Sequence, residues 1–198
     1  VKDVLQVKVK KDILLLLIYS PGAFDVVNEP ICGRTRLIKM LFLFKKEILP
    51  VFRKGLALEE SEFYNFVSWN FGPFSTEVYD DLTFFLLRGF IEAKDSPEAA
   101  SSEALAEWSE WLEQTGTGEE ETAISEYTEE CFYLTHKGEA FASRLYADLS
   151  KSQRALLREF KARIVSAPLF AILRYVYSRY PETTDKSEIR ERVLGSGS

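Results

Sequence analysis

The stretch FYNFVSWNFGPFSTEVYDDLTFFLLRGFIE, residues 63–92, decides the fold. Phe63 to Phe71 is rich in aromatic and β-branched side chains and reads as a strand that stops at Gly72-Pro73. A helix follows at once. Ser75 stands where a side-chain oxygen accepts from a free N–H of the first turn, and Phe74 and Tyr79 occupy the two positions of a hydrophobic staple. Gly89 can take the left-handed conformation that closes a helix. Val78, Leu82, Phe85 and Leu86 share one face, while Glu77, Asp80, Asp81 and Arg88 fall largely on others. A helix with one buried face, followed by a strand from Phe90-Ile91, is the pattern of the third helix and wing of a winged helix.

On the N-terminal side, Val1 to Lys11 alternates apolar and charged residues, as in a short strand or an ordered lead-in. Asp12 is placed to cap a first helix running through Tyr19, which Pro21-Gly22 ends. A second helix, about 35–48, carries Leu37, Met40, Leu41, Phe44 and Ile48 at core spacing, and Pro50 helps to end it. Its outer face reads as basic. Arg34, Arg36, Lys39, Lys45 and Lys46, with Arg53 and Lys54 beyond, stand against one acid, Glu47, between Gly33 and Lys54. Such a run is a solvated face, or a surface for an anionic partner: nucleic-acid phosphate or an acidic protein.

On the C-terminal side lies an acidic insert, residues 93–130, between the two strands of the wing. From Asp95 to Glu130 there are twelve of the chain's 31 acidic residues and no Lys or Arg. The net charge of −6 therefore leaves +6 on the rest, 25 basic against 19 acidic residues. Within the insert, SEALAEWSEWLEQ places Leu105, Trp108, Trp111 and Leu112 on one helical stripe. This stripe either docks the insert on its own domain or enters a groove on a partner or a second copy. Glu119, Glu120 and Glu121 fall in a loop tip. Trp108, Trp111, Leu112 and these three glutamates are the candidate partner-binding residues.

CFYLT, residues 131–135, is the returning wing strand, and His136-Lys137-Gly138 starts a helix to about Leu149. Ser152 is placed to cap another, with Leu156, Leu157, Phe160 and Ile164 inward and Arg154, Arg158, Lys161 and Arg163 outward. Pro168 opens a further helix, and Ser187 caps a last short one. Arg34, Arg36, Lys39, Lys45, Lys46, Arg154 and Arg158 are the nucleic-acid candidates. The expected organisation is a winged-helix-like domain over residues 1–149, a helical extension over 150–194 packed on it, and an appended linker at 195–198. The class is α+β, mostly helical, with a small antiparallel sheet.

No catalytic, cofactor-binding or metal-ligating set is assigned. His136 is the chain's one histidine, there is no Gly-rich phosphate loop, and cysteine spacing does not fit a zinc ribbon. Cys32 and Cys131 pair only if folding brings them within about 7 Å. Two thiols in a chain this long read instead as small buried apolar side chains of a reducing compartment, and the protein as cytoplasmic. The apolar run Ile13 to Tyr19 falls far short of the roughly 20 residues that span a bilayer, so no membrane is expected.

GRTRLIKMLFLF, FYNFVSWNFGPFSTEVYDDLTFFLLRGFIE and FYLTHKGEAFA together resemble the YwgA-like and Panacea (SocA-like antitoxin) group of small prokaryotic proteins. The likeness covers about residues 11–142 without the insert, and Gly72-Pro73-Phe74-Ser75 and Tyr133-Leu134-Thr135 with Gly138 are its most specific parts. It implies a winged-helix-like core and a regulatory or antitoxin role exercised through protein contacts. A DNA reader presents Arg, Lys, Asn or Gln from its third helix. Here that helix offers Glu77, Asp80 and Asp81, and the wing carries twelve acids. The sequence therefore leads to a non-enzymatic, antitoxin-like or adaptor-like module acting by protein contact. A DNA-binding transcriptional regulator is the alternative, and homo-oligomerisation through the tryptophan stripe is a separate possibility.

Overall fold

The computed structural model describes residues 6–96, 105, 128–187 and 189–195, and shows a mixed α+β fold, mostly helical with small antiparallel sheets. Helix α1, Lys10–Tyr19, is the central rod. Ile13 to Ile18 are each at most 1% exposed. An all-round apolar helix is stable only when other elements cover every side of it. Asp12 does not begin the helix but sits in its first turn, where its carboxylate accepts from the Lys8 and Val9 N–H groups at 2.8 and 3.0 Å.

Strand β1, Ile31–Cys32, leads into α2, Arg34–Leu43, and the helix does not stop at Pro50. It widens into a π-turn over Phe44–Ile48 and resumes as α3, Leu49–Phe52, with the Leu49 N–H reaching the Phe44 carbonyl five residues back. Proline has no N–H and its ring clashes with the carbonyl four residues back. The wider turn absorbs that defect without ending the helix.

The decisive stretch is partly corrected. Phe63 to Phe66 is irregular, and the strand shrinks to β2, Val67–Trp69, which turns back into β3, Gly72–Phe74. Gly72-Pro73 thus lies inside a hairpin rather than ending a strand. Pro73 pairs with Ser68 in a two-stranded ribbon, whose free edge leaves its missing N–H harmless. Phe71 is buried, but Trp69 is 46% exposed, not core.

Helix α4, Thr76–Leu87, forms as the sequence indicates. The Phe74 and Tyr79 rings of the staple lie 5.4 Å apart. Gly89, at φ 67°, closes the helix with both bonds of a Schellman motif, Phe90 N–H to Phe85 O and Gly89 N–H to Leu86 O. The Ser75 hydroxyl makes no cap and is buried without a partner.

Strands β4, Ile91–Asp95, and β5, Glu130–Leu134, pair antiparallel with Ile91 opposite Leu134 and Asp95 opposite Glu130. Strand β1 adds to the other side of β5, giving the order β1-β5-β4. Across the β1–β5 pair, Cys32 and Cys131 are bonded as a disulfide, with Cα atoms 3.9 Å apart. This corrects the reading of two unpaired thiols.

After β5 come α5, His136–Asp148; α6, Lys151–Ser166; α7, Leu169–Arg179; and the short α8, Arg190–Leu194. Ser150, not Ser152, caps α6, in a reciprocal box with Gln153. Ser187 lies short of α8, and its hydroxyl pairs with Tyr177 and the Asn70 carbonyl. Leu157, Phe160, Ile164, Ile172 and Val176 join the same apolar cluster as α1, so the C-terminal helices complete the core.

Gly138 is required where α5 leaves β5. A Cβ there would lie 2.0 Å from the Phe90 carbonyl oxygen, which also accepts the Thr135 N–H. Alanine gains about 1 kcal/mol of helix propensity, but a backbone clash of this kind costs more. Gly138→Ala is expected to lower unfolding stability by about 2 kcal/mol, measured as a shift of the urea midpoint. An unchanged or higher midpoint would refute the close approach.

Candidate protein-contact surface

Helix α4 turns Val78, Asp81, Leu82 and Phe85 inward and leaves Thr76, Asp80, Thr83, Phe84, Leu87 and Arg88 outward. Of the three acids expected outside, Asp80 is exposed and Glu77 half-exposed, while Asp81 is not there. Asp81 is buried, accepts from the Tyr64 hydroxyl at 2.9 Å and pairs with Lys11 at 3.1 Å. Burial first, then the Asp81 carboxylate, pushes the Tyr64 hydroxyl far above its usual range. Glu77 accepts from the Asn65 N–H at 2.7 Å and pairs with Lys10. Burial alone would push its carboxyl up, but these two donors outweigh it and hold it low. The carboxylates thus bolt α4 to α1 and to the segment before the hairpin.

The apolar residues on the outer face are more exposed than a free surface favours. Leu87 is 82% and Phe84 41% exposed. Two cations lie over the phenylalanine. The Lys11 ammonium is 4.3 Å from the Phe84 ring centroid and the Arg88 guanidinium 5.7 Å. Lys137 donates to the Arg88 carbonyl at 2.8 Å, covering the negative end of α4.

The nucleic-acid candidates are not brought into one stripe. Arg36 donates to the Ile164 and Ala167 carbonyls at 2.7 and 2.6 Å, closing the end of α6. Lys39 is 2% exposed and donates to the Pro73 carbonyl at 3.0 Å. Lys45 donates to Tyr64 O at 2.8 Å, and burial first, then Lys46, lowers its ammonium below the usual lysine value. Arg34 pairs with Glu130 at 2.7 Å and lies over Tyr79 and Phe132. Arg154 donates to the Leu149 and Ala147 carbonyls, and Arg158 pairs with Asp25 at 3.3 Å. Lys46 is exposed but lies 5.9 and 5.8 Å from the Phe42 and Tyr180 rings. The candidates Trp108, Trp111, Leu112, Glu119, Glu120 and Glu121 lie outside the described residues.

Two groups escaped the sequence reading. Lys161, expected outward, is fully buried and donates to the Ile18, Ser20 and Glu29 carbonyls at 2.7, 2.7 and 2.6 Å. Burial pushes it down to about 7, against the upward pull of Glu29. The Glu29 carboxylate in turn accepts from the Gly22, Ala23 and Phe24 N–H groups. This clamp holds rigid a loop that exposes Phe24, Val26 and Val27. The second group is Glu47 of the π-turn, which accepts from the Tyr175 and Tyr180 hydroxyls at 2.8 and 3.1 Å and pairs with Arg163. Burial, and then the Glu47 charge, pushes the Tyr180 hydroxyl up to about 12. Beside it is a cavity of about 190 Å³ with hydrocarbon walls from Leu43, Ile164 and Ile172.

Among the described residues no cluster of His, Cys, Asp and Glu is placed to hold a metal ion, and no helix is long and apolar enough to cross a membrane. No protein-family model, curated protein or solved structure matches the chain.

Proposed function

We propose that the chain is a non-enzymatic regulatory module, with a winged-helix-like core, that acts by binding another protein. The chain order α1, β1, α2, α4, β4, β5 and the sheet order β1-β5-β4 support the core reading, with the acidic insert at the wing between β4 and β5. The resemblance to the antitoxin group is in keeping with a role exercised through contact.

The observation that carries the functional reading is the outer face of α4. A helix that reads DNA sends hydrogen-bonding side chains to base edges and cations to phosphates. This face sends out Asp80, Phe84 and Leu87 with the short hydroxyls of Thr76 and Thr83, and its one cation, Arg88, stands at the far end. Leu87 offers about 1.5–3 kcal/mol on burial and the partly covered Phe84 ring beside it a fraction of that, which is the currency of protein contact. The alternative, a DNA-binding regulator, is the less favoured reading, because Arg36, Lys39 and Lys45 donate to backbone carbonyls.

Titration of random duplex DNA at about 50 and 200 mM salt tests this, because phosphate contacts weaken steeply over that range. The expected result is no saturable binding at either salt. Binding that strengthens as salt falls, and is lost with Lys46→Glu and Arg158→Glu, would replace protein contact with DNA binding.

A further inference from the structure

The α4 face is not electrically neutral, and its asymmetry identifies the kind of partner it fits. Its cations gather at the C-terminal end of the helix: Lys11 and Arg88 over the Phe84 ring, and Lys137 against the last turn of α4 and over Phe90. Lys11 is paired with buried Asp81, but among the described residues neither Arg88 nor Lys137 forms an ion pair. The acids that reach solvent, Asp80 and the half-exposed Glu77, lie one and two turns toward the N-terminus from Phe84. We propose that Phe84 and Leu87, rimmed by Arg88, Lys137 and Lys11, bind an amphipathic segment of a partner protein whose apolar side is flanked by carboxylates.

This rests on the protein-contact reading and narrows it. Apolar area supplies affinity, and the rim selects sign and register, since like charges brought together across a contact are strongly unfavourable. The partner's carboxylates belong over Arg88 and Lys137, and its uncharged or basic end over Asp80. Covering the α4 carbonyl end with Lys137 removes the negative helix terminus that would otherwise repel such a segment.

A synthetic peptide with the sequence SSEALAEWSEWLEQ, residues 101–114 of this chain, is a suitable probe, since it carries leucine and tryptophan on one side and four glutamates. The peptide carries an N-terminal fluorescein, whose anisotropy is followed on titration with the intact chain; a charge-reversed peptide with Glu103→Lys, Glu107→Lys, Glu110→Lys and Glu113→Lys is the comparison. The acidic peptide is expected to bind, and to weaken as salt rises. Leu87→Lys, and separately Arg88→Glu/Lys137→Glu, each weaken it by about tenfold or more. All three positions are exposed, so unchanged melting temperatures exclude misfolding.

Equal or tighter binding of the charge-reversed peptide overturns the acidic class while leaving protein contact standing. Absence of binding by the acidic peptide overturns it too. Binding only by a Trp108→Ala/Trp111→Ala chain overturns it by assigning the face to the chain's own acidic segment. Adsorption to phosphatidylserine vesicles that is lost with Leu87→Lys, without peptide binding, overturns it in favour of a lipid surface. Failure of the protein-contact reading itself appears separately, as salt-sensitive DNA binding.

Discussion

Replacing Lys161 by methionine is expected to lower unfolding stability by about 3 kcal/mol at neutral pH, through three buried carbonyls left without their donor at about 1 kcal/mol or more each. For a chain of this size that is a fall of roughly 6–12 °C in melting temperature. The carbonyls belong to Ile18, Ser20 and Glu29, and all lie within 2.7 Å of the Lys161 Nζ. Methionine fills much of the same volume and so isolates the loss of the donor from the loss of packing.

The same group gives the substitution a pH signature. The unfolded chain keeps the ordinary lysine value of 10.5, while burial holds the native group at about 7. Between these values the unfolded chain binds a proton that the native state has released, so this contribution grows as pH rises from about 7 to 10.5 and is constant below. The gap between wild type and Lys161→Met should therefore widen with pH across that window. Tyr64 and Tyr180, both pushed up in the native state, act in the opposite sense above the ordinary tyrosine value of 10.0, but they do so equally in both proteins. Urea midpoints at several pH values decide it. Parallel curves would refute the lowered native value, and an unchanged urea midpoint in Lys161→Met would show that Lys161 is no clamp.

Lys161 also marks where reading from sequence ends. It lies four residues after Leu157 and three before Ile164, on the inward stripe of α6, and only the habit of giving every charge to solvent sets it outside. Only the tertiary approach of α6 to the end of α1 supplies acceptors for it. The basic candidates of α2 fail for a related reason. Periodicity cannot separate a cation in water from one whose hydrocarbon stem runs along the surface to a carbonyl, as Arg36, Lys39 and Lys45 do. Local devices, by contrast, were legible. The Phe74–Tyr79 staple, Gly89 at the end of α4, and the helix start at His136-Lys137-Gly138 each depend on residues a few positions apart.

The two prolines were misread because their surroundings, not their chemistry, decide. Pro50 ends an ideal helix but not one that has widened to a π-turn, and Pro73 breaks a central strand but not a two-stranded ribbon. As for the surface, the α4 sequence already held the signal in Phe84 and Leu87. They are apolar residues out of phase with the Val78, Leu82 and Phe85 stripe, and a strict division of the helix into core and solvent faces passes over them.

The other large effect belongs to the Cys32–Cys131 disulfide, whose removal is expected to cost about 2–5 kcal/mol. Its half-cystines are 99 residues apart, and the loop they close contains the hairpin, α4 and the whole insert. Restricting a loop of about 100 residues removes roughly 4.7 kcal/mol of denatured-chain entropy in the chain-entropy account. That makes this bond worth more than a short-loop crosslink would be. Local contacts keep the β1–β5 junction together without it: the Gly33 N–H donates to Glu130 O at 2.9 Å, Arg34 pairs with the Glu130 carboxylate, and Ile31 faces Phe132 across the strands. The reduced chain should therefore keep its far-UV circular dichroism while its urea midpoint falls, because the loss lies in the unfolded state. Alkylation under denaturing conditions, followed by mass measurement, first counts the thiols with and without reductant. Cys32→Ala/Cys131→Ala should then match reduced wild type and ignore the reductant. If oxidised and reduced chains unfold at the same urea concentration, the crosslink does not stabilise the fold; if circular dichroism collapses on reduction, the whole fold depends on the bond and the local contacts at β1–β5 do not suffice.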